Sequence, residues 1–72
     1  MKELEIRKVL EQAKVLENEV LLAQIETGGF AVACKLNEQR KVAFRSDLRE
    51  ALDLYIRCLE EVRGGQGYSW YN

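Results

Sequence analysis

Large apolar residues alternate with small or polar ones most regularly between residues 30 and 45. In the first half of this stretch, the large residues take every second position: Phe30, Val32, Cys34 and Leu36. A period of two is typical of a strand with one apolar face. Residues 37–40 are polar and predict a turn, after which the alternation resumes with Val42 and Phe44. The stretch predicts an antiparallel β-hairpin whose apolar face must be covered, because a two-stranded ribbon is marginal alone.

Residues 2–24 show a different spacing, with apolar positions separated by three or four residues. The positions on this seam are Ile6, Val9, Ala13, Leu16, Val20 and Ala23. Such spacing is typical of a helix that packs in the manner of a coiled coil. A second apolar stripe lies off the seam and holds Leu4, Val15, Leu22 and Ile25. A helix with two apolar stripes has more to bury than one neighbour can cover, so the six seam residues predict a homodimer interface.

The end of this first helix has two interpretations. Thr27-Gly28-Gly29 suits a glycine cap that ends a helix near residue 26. The same residues also suit a turn, in which case residues 20–26 form a strand that pairs with residues 30–36. The sequence favours the long helix, since no Gly or Pro interrupts residues 2–27.

Residues 47–63 predict a second helix. Asp47 followed three residues later by Glu50 fits a capping box. A helical stripe of apolar residues runs through Leu48, Ala51, Leu52, Tyr55, Leu59 and Val62. Gly64-Gly65 then predicts the end of the helix. The predicted fold class is therefore α+β, in the order helix, β-hairpin, helix, with a third strand before the hairpin as the alternative. It forms one domain over residues 1–65, packed through its helices as a homodimer.

Positive charge is concentrated on the predicted hairpin. The chain has a net charge of −1, yet residues 30–45 hold four basic residues and one acidic residue. The four cations are Lys35, Arg40, Lys41 and Arg45. If helices cover the apolar face of the hairpin, we expect three of them to project from the other face, with Arg40 at the turn. The cluster suits a surface for an acidic partner or for phosphate, or else a solvated ribbon that resists aggregation.

Residues 66–72 form an aromatic tail that follows the glycines and is expected to be loose. Tyr68, Trp70 and Tyr71 lie in it. Exposed Tyr and Trp are favoured anchors at binding interfaces, so the three are candidate partner-binding residues. The alternative is that they fold back over apolar surface of the same protein or of a second copy.

Catalysis is not predicted from this sequence. The chain contains no His, and its adjacent carboxylates point about 100° apart on a helix, so they do not converge on a substrate. Cys34 and Cys58 are the two cysteines, and they predict buried, reduced thiols rather than a metal or redox pair. We expect no cofactor and no metal.

The sequence also predicts a cytoplasmic protein, since it shows neither a signal peptide nor a run of about 18 apolar residues. The expected function is that of a small, non-enzymatic interaction module, an adaptor or inhibitor that acts as a homodimer on another protein. Such modules are also found on phage and mobile elements. The alternative is a nucleic-acid-binding module that uses the basic hairpin, residues 35–45.

Overall fold

The computed structural model describes residues 5–64 and forms an antiparallel sheet followed by a helix. Its elements are β1 (Ile6–Val15), β2 (Asn18–Ile25), β3 (Phe30–Leu36), β4 (Gln39–Arg45) and α1 (Leu48–Val62). The strands lie in the sheet in the order β1-β2-β3-β4, so each strand pairs with its neighbour along the chain. The predicted order of helix, hairpin and helix is therefore wrong, because residues predicted as the first helix form β1 and β2.

Two irregularities in β1 explain why its sequence resembles a helix. The register between β1 and β2 shifts between Ile6 and Lys8, and again between Val9 and Glu11. Each β-bulge adds one residue to a strand and reverses the face on which the following side chains lie. Apolar residues that are three positions apart in the sequence can therefore lie on the same face of a sheet. The break between the two strands is a two-residue turn, Leu16 and Glu17, which contains neither Gly nor Pro.

Of the two interpretations of residues 20–26, the strand is the one present. Gln24 of β2 lies opposite Phe30 of β3. The connecting turn uses Gly28 and Gly29, whose φ angles are 90° and 100°. A Cβ atom on Gly29 would lie 3.2 Å from the carbonyl oxygen of Arg45. Glycine is therefore required at position 29 by both its backbone conformation and the close approach of β4.

The predicted hairpin is present, but its two strands do not share one apolar face. The turn consists of Asn37 and Glu38, with φ angles of 53° and 70°, and Leu36 lies opposite Gln39. Residues directly opposite each other in an antiparallel pair point to the same face. Val42 lies opposite Ala33 and Phe44 opposite Ala31, so both point away from the face that holds Val32 and Cys34.

The predicted second helix is confirmed as α1. The side chain of Asp47 accepts a hydrogen bond from the backbone N–H of Arg49 at 3.1 Å and so caps the helix. Gly64, with a φ of 107°, follows its last turn and donates its N–H to the carbonyl oxygen of Glu61 at 3.1 Å. Among residues 5–64, α1 is the one helix, and it is neither long enough nor apolar enough to cross a lipid bilayer.

The hydrophobic core lies between α1 and one face of the sheet, mainly over β2 and β3. The helix contributes Ala51, Tyr55, Cys58 and Val62, and the sheet contributes Val20, Leu22, Val32 and Cys34. At the end of the sheet that holds both two-residue turns, the backbone N–H of Asn37 donates to Oδ1 of Asn18 at 3.0 Å. This bond links the β3–β4 turn to the start of β2.

Replacing Glu38 by glycine should stabilise the protein. Glu38 has a left-handed backbone, which costs a residue other than glycine about 1 kcal/mol, and Asn-Gly is the preferred pair for such a turn. We expect Glu38→Gly to raise the free energy of unfolding by up to about 1 kcal/mol in urea titrations. Glu17→Gly is the matched control, because Glu17 does not have a positive φ and glycine there adds only unfolded-state entropy. A Glu38→Gly variant less stable than Glu17→Gly would contradict this account.

Candidate interaction surface

The face of the sheet opposite α1, which we call the helix-distal face, carries several rows of apolar side chains. Strand pairing sets one row across all four strands: Val9, Ala23, Ala31 and Phe44. The next row holds Gln12, Leu21, Ala33 and Val42. At the other side of the first row, Ile6 pairs with Ile25. In the first row, the alanines of the two central strands lie between the larger residues of the two outer strands.

No helix or strand within residues 5–64 packs on the helix-distal face. Its large side chains are correspondingly exposed: Ile6, Val9, Val42 and Phe44 are between 40 and 54% accessible. Ala23 and Ala31 are buried, yet they lie outside the core cluster beneath α1. Large exposed apolar side chains gathered on one face, rather than scattered singly over the surface, are typical of a binding surface.

A charged row borders the apolar rows near the two-residue turns. It runs across the four strands as Lys14, Glu19, Lys35 and Arg40. Between this row and Val42 lies an open depression of about 340 Å³, lined in part by Glu19, Lys35, Arg40, Leu21 and Val42. The helix-distal face is thus apolar over most of its length and predominantly positive at one end.

The structure divides the predicted cation cluster between two faces. Lys35 and Arg40 are directly paired on the helix-distal face. Lys41 lies opposite Cys34 and Arg45 opposite Phe30, so both point to the side of α1, and the prediction that they project with Lys35 is wrong. Arg45 also donates from Nη1 to the carbonyl oxygen of Phe44 at 2.8 Å. The tail residues Tyr68, Trp70 and Tyr71 lie outside the described residues.

The predicted dimer seam is also divided, because the helix that defined it is absent. Ile6, Val9 and Ala23 do lie together on the helix-distal face. Ala13 and Val20 belong to the side covered by α1, where Val20 is 1% exposed. Leu16 lies in the β1–β2 turn and is 87% exposed. Of the seam residues on this face, Ile6 and Val9 are therefore exposed, whereas Ala23 is buried between the neighbouring side chains.

Sequence reasoning missed Leu21, Ile25, Val42 and Phe44 as members of one surface. The signal for Leu21 is the unbroken apolar run of residues 20–23, which is typical of a central strand buried on both faces. The signal for Val42 and Phe44 is the even number of polar residues in the turn before them. An even count places them opposite the small residues of β3.

The titratable groups whose pKa values are shifted lie in the core between α1 and the sheet, not on the helix-distal face. Burial raises the pKa of Tyr55, and the nearby Glu11 adds to the effect. Cys34 and Cys58 are free, buried thiols that share a hydrogen bond. This bond lowers the pKa of Cys34 although burial opposes it, and the same bond together with burial raises the pKa of Cys58.

Comparison of the chain with protein-family models, with curated proteins and with solved structures finds no match.

Two glutamate substitutions on the predicted seam should have opposite outcomes. Val20→Glu places a carboxylate in the core beneath α1, where burial of an unpaired charge is very unfavourable, so we expect loss of the cooperative fold. Leu16→Glu changes an exposed turn residue and should alter the melting temperature only slightly. Circular dichroism during thermal unfolding measures both. Loss of the fold in both variants, rather than in Val20→Glu alone, would instead support the helix that the spacing predicts over residues 2–24.

Proposed function

We propose that the protein is a small, non-enzymatic interaction module that self-associates as a homodimer through the helix-distal face and binds another protein. The observation that carries the proposal is the set of apolar rows on the helix-distal face, which includes Val9 and Phe44 and on which no described element packs. Protein domains are built of layers that each bury their apolar face against another layer. A second copy of the chain supplies such a layer by sheet-on-sheet packing.

The edges of the sheet are poorly suited to self-association, which favours the face. Unpaired edges can add strands from another chain, and proteins block them with bulges or charge. The outer strand β1 carries two register shifts. The other outer strand, β4, carries Arg40, Lys41 and Arg45 among its seven residues. Both edges therefore have features that oppose strand addition.

The arrangement of the face suits a twofold interface. Apolar residues occupy most of it, and the charged row lies at one end, as expected for an apolar interface core with a polar rim. Four strands about 4.8 Å apart and about seven residues long give a face of roughly 20 Å by 23 Å. Since specific interfaces bury about 800 Å² on each partner, this face is small. We expect dimerisation in the micromolar range.

The charged row supports the second part of the proposal, binding to a protein partner. In a sheet-on-sheet dimer, Lys35 and Arg40 lie at the rim, where they remain available to a partner. Two rims related by the twofold axis present two such pairs of cations. An acidic protein surface has the complementary charge, which mainly accelerates association.

Replacing Phe44 by lysine should abolish dimerisation without unfolding the chain. Phe44 is 54% exposed, so the substitution disturbs the apolar surface more than the core. Ile56→Lys is a matched control: Ile56 is 51% exposed on α1, on the opposite layer of the fold. Sedimentation velocity across concentrations from about one to a few hundred micromolar covers the range expected for a small interface.

The expected result is a dimer for the unchanged chain and for Ile56→Lys, with a monomer for Phe44→Lys. A monomeric unchanged chain throughout this range would overturn the dimer. Dissociation by Ile56→Lys alone would place the interface on α1 instead. Circular dichroism of each variant separates dissociation from unfolding.

A second candidate function, binding of single-stranded nucleic acid, is favoured by one specific arrangement. Three cations, Lys14, Lys35 and Arg40, lie on the same face as the exposed ring of Phe44. Proteins that bind single strands combine a positive groove with aromatic side chains on which bases stack. Glu19 in the same row and the overall charge of −1 weigh against this candidate.

Salt dependence tests the nucleic-acid candidate. If it holds, the affinity for a fluorescent oligothymidylate should fall steeply with rising salt, because each neutralised phosphate releases counterions. Replacing Lys35 and Arg40 together by serine should weaken binding and reduce the salt slope. Replacing Lys41 and Arg45 by serine is the matched control, with the same loss of charge on the other face. Equal effects of the two pairs, or no binding at low salt, would exclude the helix-distal face as a nucleic-acid site.

A further inference from the structure

The two cysteines come together across the main packing interface of the fold. Cys34 lies on β3 and Cys58 on α1, with 23 residues between them in the chain. Both belong to the buried core cluster, and their side chains share a hydrogen bond. The sequence offered no sign of this contact, because no other cysteine lies close to either one along the chain.

We propose that Cys34 and Cys58 form a reversible disulfide that fastens α1 to β3 when a low-molecular-mass disulfide oxidises the protein. This inference goes beyond the proposed interaction function and does not depend on it, since the thiols lie on the side of the sheet opposite the helix-distal face. A disulfide needs sulfur atoms about 2.05 Å apart and Cβ atoms about 3.8 Å apart. Both side chains lie in one buried cluster where α1 packs on the sheet, and the bridge requires that movement of the helix brings them to this spacing.

The two thiols have unequal roles in this exchange. The hydrogen bond from Cys58 stabilises a thiolate on Cys34, and the thiolate is the form that attacks a disulfide. The Cys34 thiolate attacks the small disulfide and releases one thiol, which leaves a mixed disulfide on Cys34. Cys58 loses its proton and attacks the Cys34 sulfur, which releases the second thiol. The chain loses two electrons and two protons, and the reagent gains both as two thiol molecules.

Burial determines when the exchange occurs. Cys34 is 4% exposed and Cys58 is fully buried, so the reagent reaches them only when α1 opens away from the sheet. Local opening of this kind is common for elements held by a small core. The oxidation rate should therefore rise in urea concentrations below the unfolding transition. Once the disulfide has formed, α1 can no longer separate completely from β3.

The experiment uses the unchanged chain with millimolar 2-hydroxyethyl disulfide under native conditions. The chain should lose the mass of two hydrogen atoms and should no longer react with a maleimide after denaturation. Trypsin cleaves after Lys14, Lys35, Arg57 and Arg63. The expected product is therefore one peptide pair that joins residues 15–35 to residues 58–63 and separates on reduction. We expect the oxidised chain to melt higher by roughly 10 °C or more.

Cys34→Ala and Cys58→Ala are matched controls that keep one thiol each. They should gain at most one mixed disulfide and show no rise in melting temperature. If either variant fails to fold, the peptide map of the unchanged chain still shows whether Cys34 and Cys58 are joined. Stable mixed disulfides on both cysteines, a disulfide between two chains, or an oxidised chain that melts lower than the reduced one would each overturn the proposal.

Discussion

Packing of α1 on one face of the sheet is the interaction on which the rest of this structure depends. Ala51 at the contact is fully buried, and its small side chain allows the helix to approach β2 and β3 closely. Tyr55, Cys58 and Val62 continue the contact along the same stripe of the helix. Because the described part of the chain contains one helix and one sheet, this packing covers one face of the sheet, and no described element packs on the other.

The composition of the second face follows from the turns rather than from any local motif. The two-residue turn at Asn37 and Glu38 fixes which residues of β3 and β4 are opposite each other. Phe44 is directed away from α1 for this reason alone, although its own strand alternates as regularly as β3. Had the turn contained an odd number of residues, Phe44 would lie under the helix, Lys41 and Arg45 would lie on the face of Lys35, and Arg40 would leave that face. A change of one residue in a turn would exchange the two surfaces of β4.

The sequence predicted the elements whose signals are local. Asp47 and Gly64 mark the two ends of α1, and strict alternation marks β3 and β4, so these three elements were found. The strands β1 and β2 were missed because their pattern is interrupted: two bulges change its phase, and the turn at Leu16 has no glycine or proline. Central position in the sheet also makes β2 apolar on both faces, which removes its alternation.

The candidate site was predictable only in part for the same reason. Lys35 and Arg40 could be identified from charge, and three apolar residues of the face from their spacing: Ile6, Val9 and Ala23. That these residues lie on the same face of the sheet follows only from the register of all four strands. The contact between Cys34 and Cys58 required more, since it depends on how far along β3 the helix lies. Pairing of distant residues is set by tertiary packing, and a single sequence contains no local signal of it.

The helix-distal face limits how its two candidate functions can coexist. A sheet-on-sheet dimer covers the ring of Phe44, whereas a single strand that stacks on this ring needs it uncovered. The charged row lies at the end of the face, so Lys35 and Arg40 stay accessible in a dimer whose axis passes near the row of Val9 and Phe44. In the proposed dimer these cations remain open to an acidic protein, whereas a nucleic acid stacked on Phe44 would compete with dimerisation. Self-association and nucleic-acid affinity should be inversely linked if the same face serves both, and a protein partner should leave self-association unchanged.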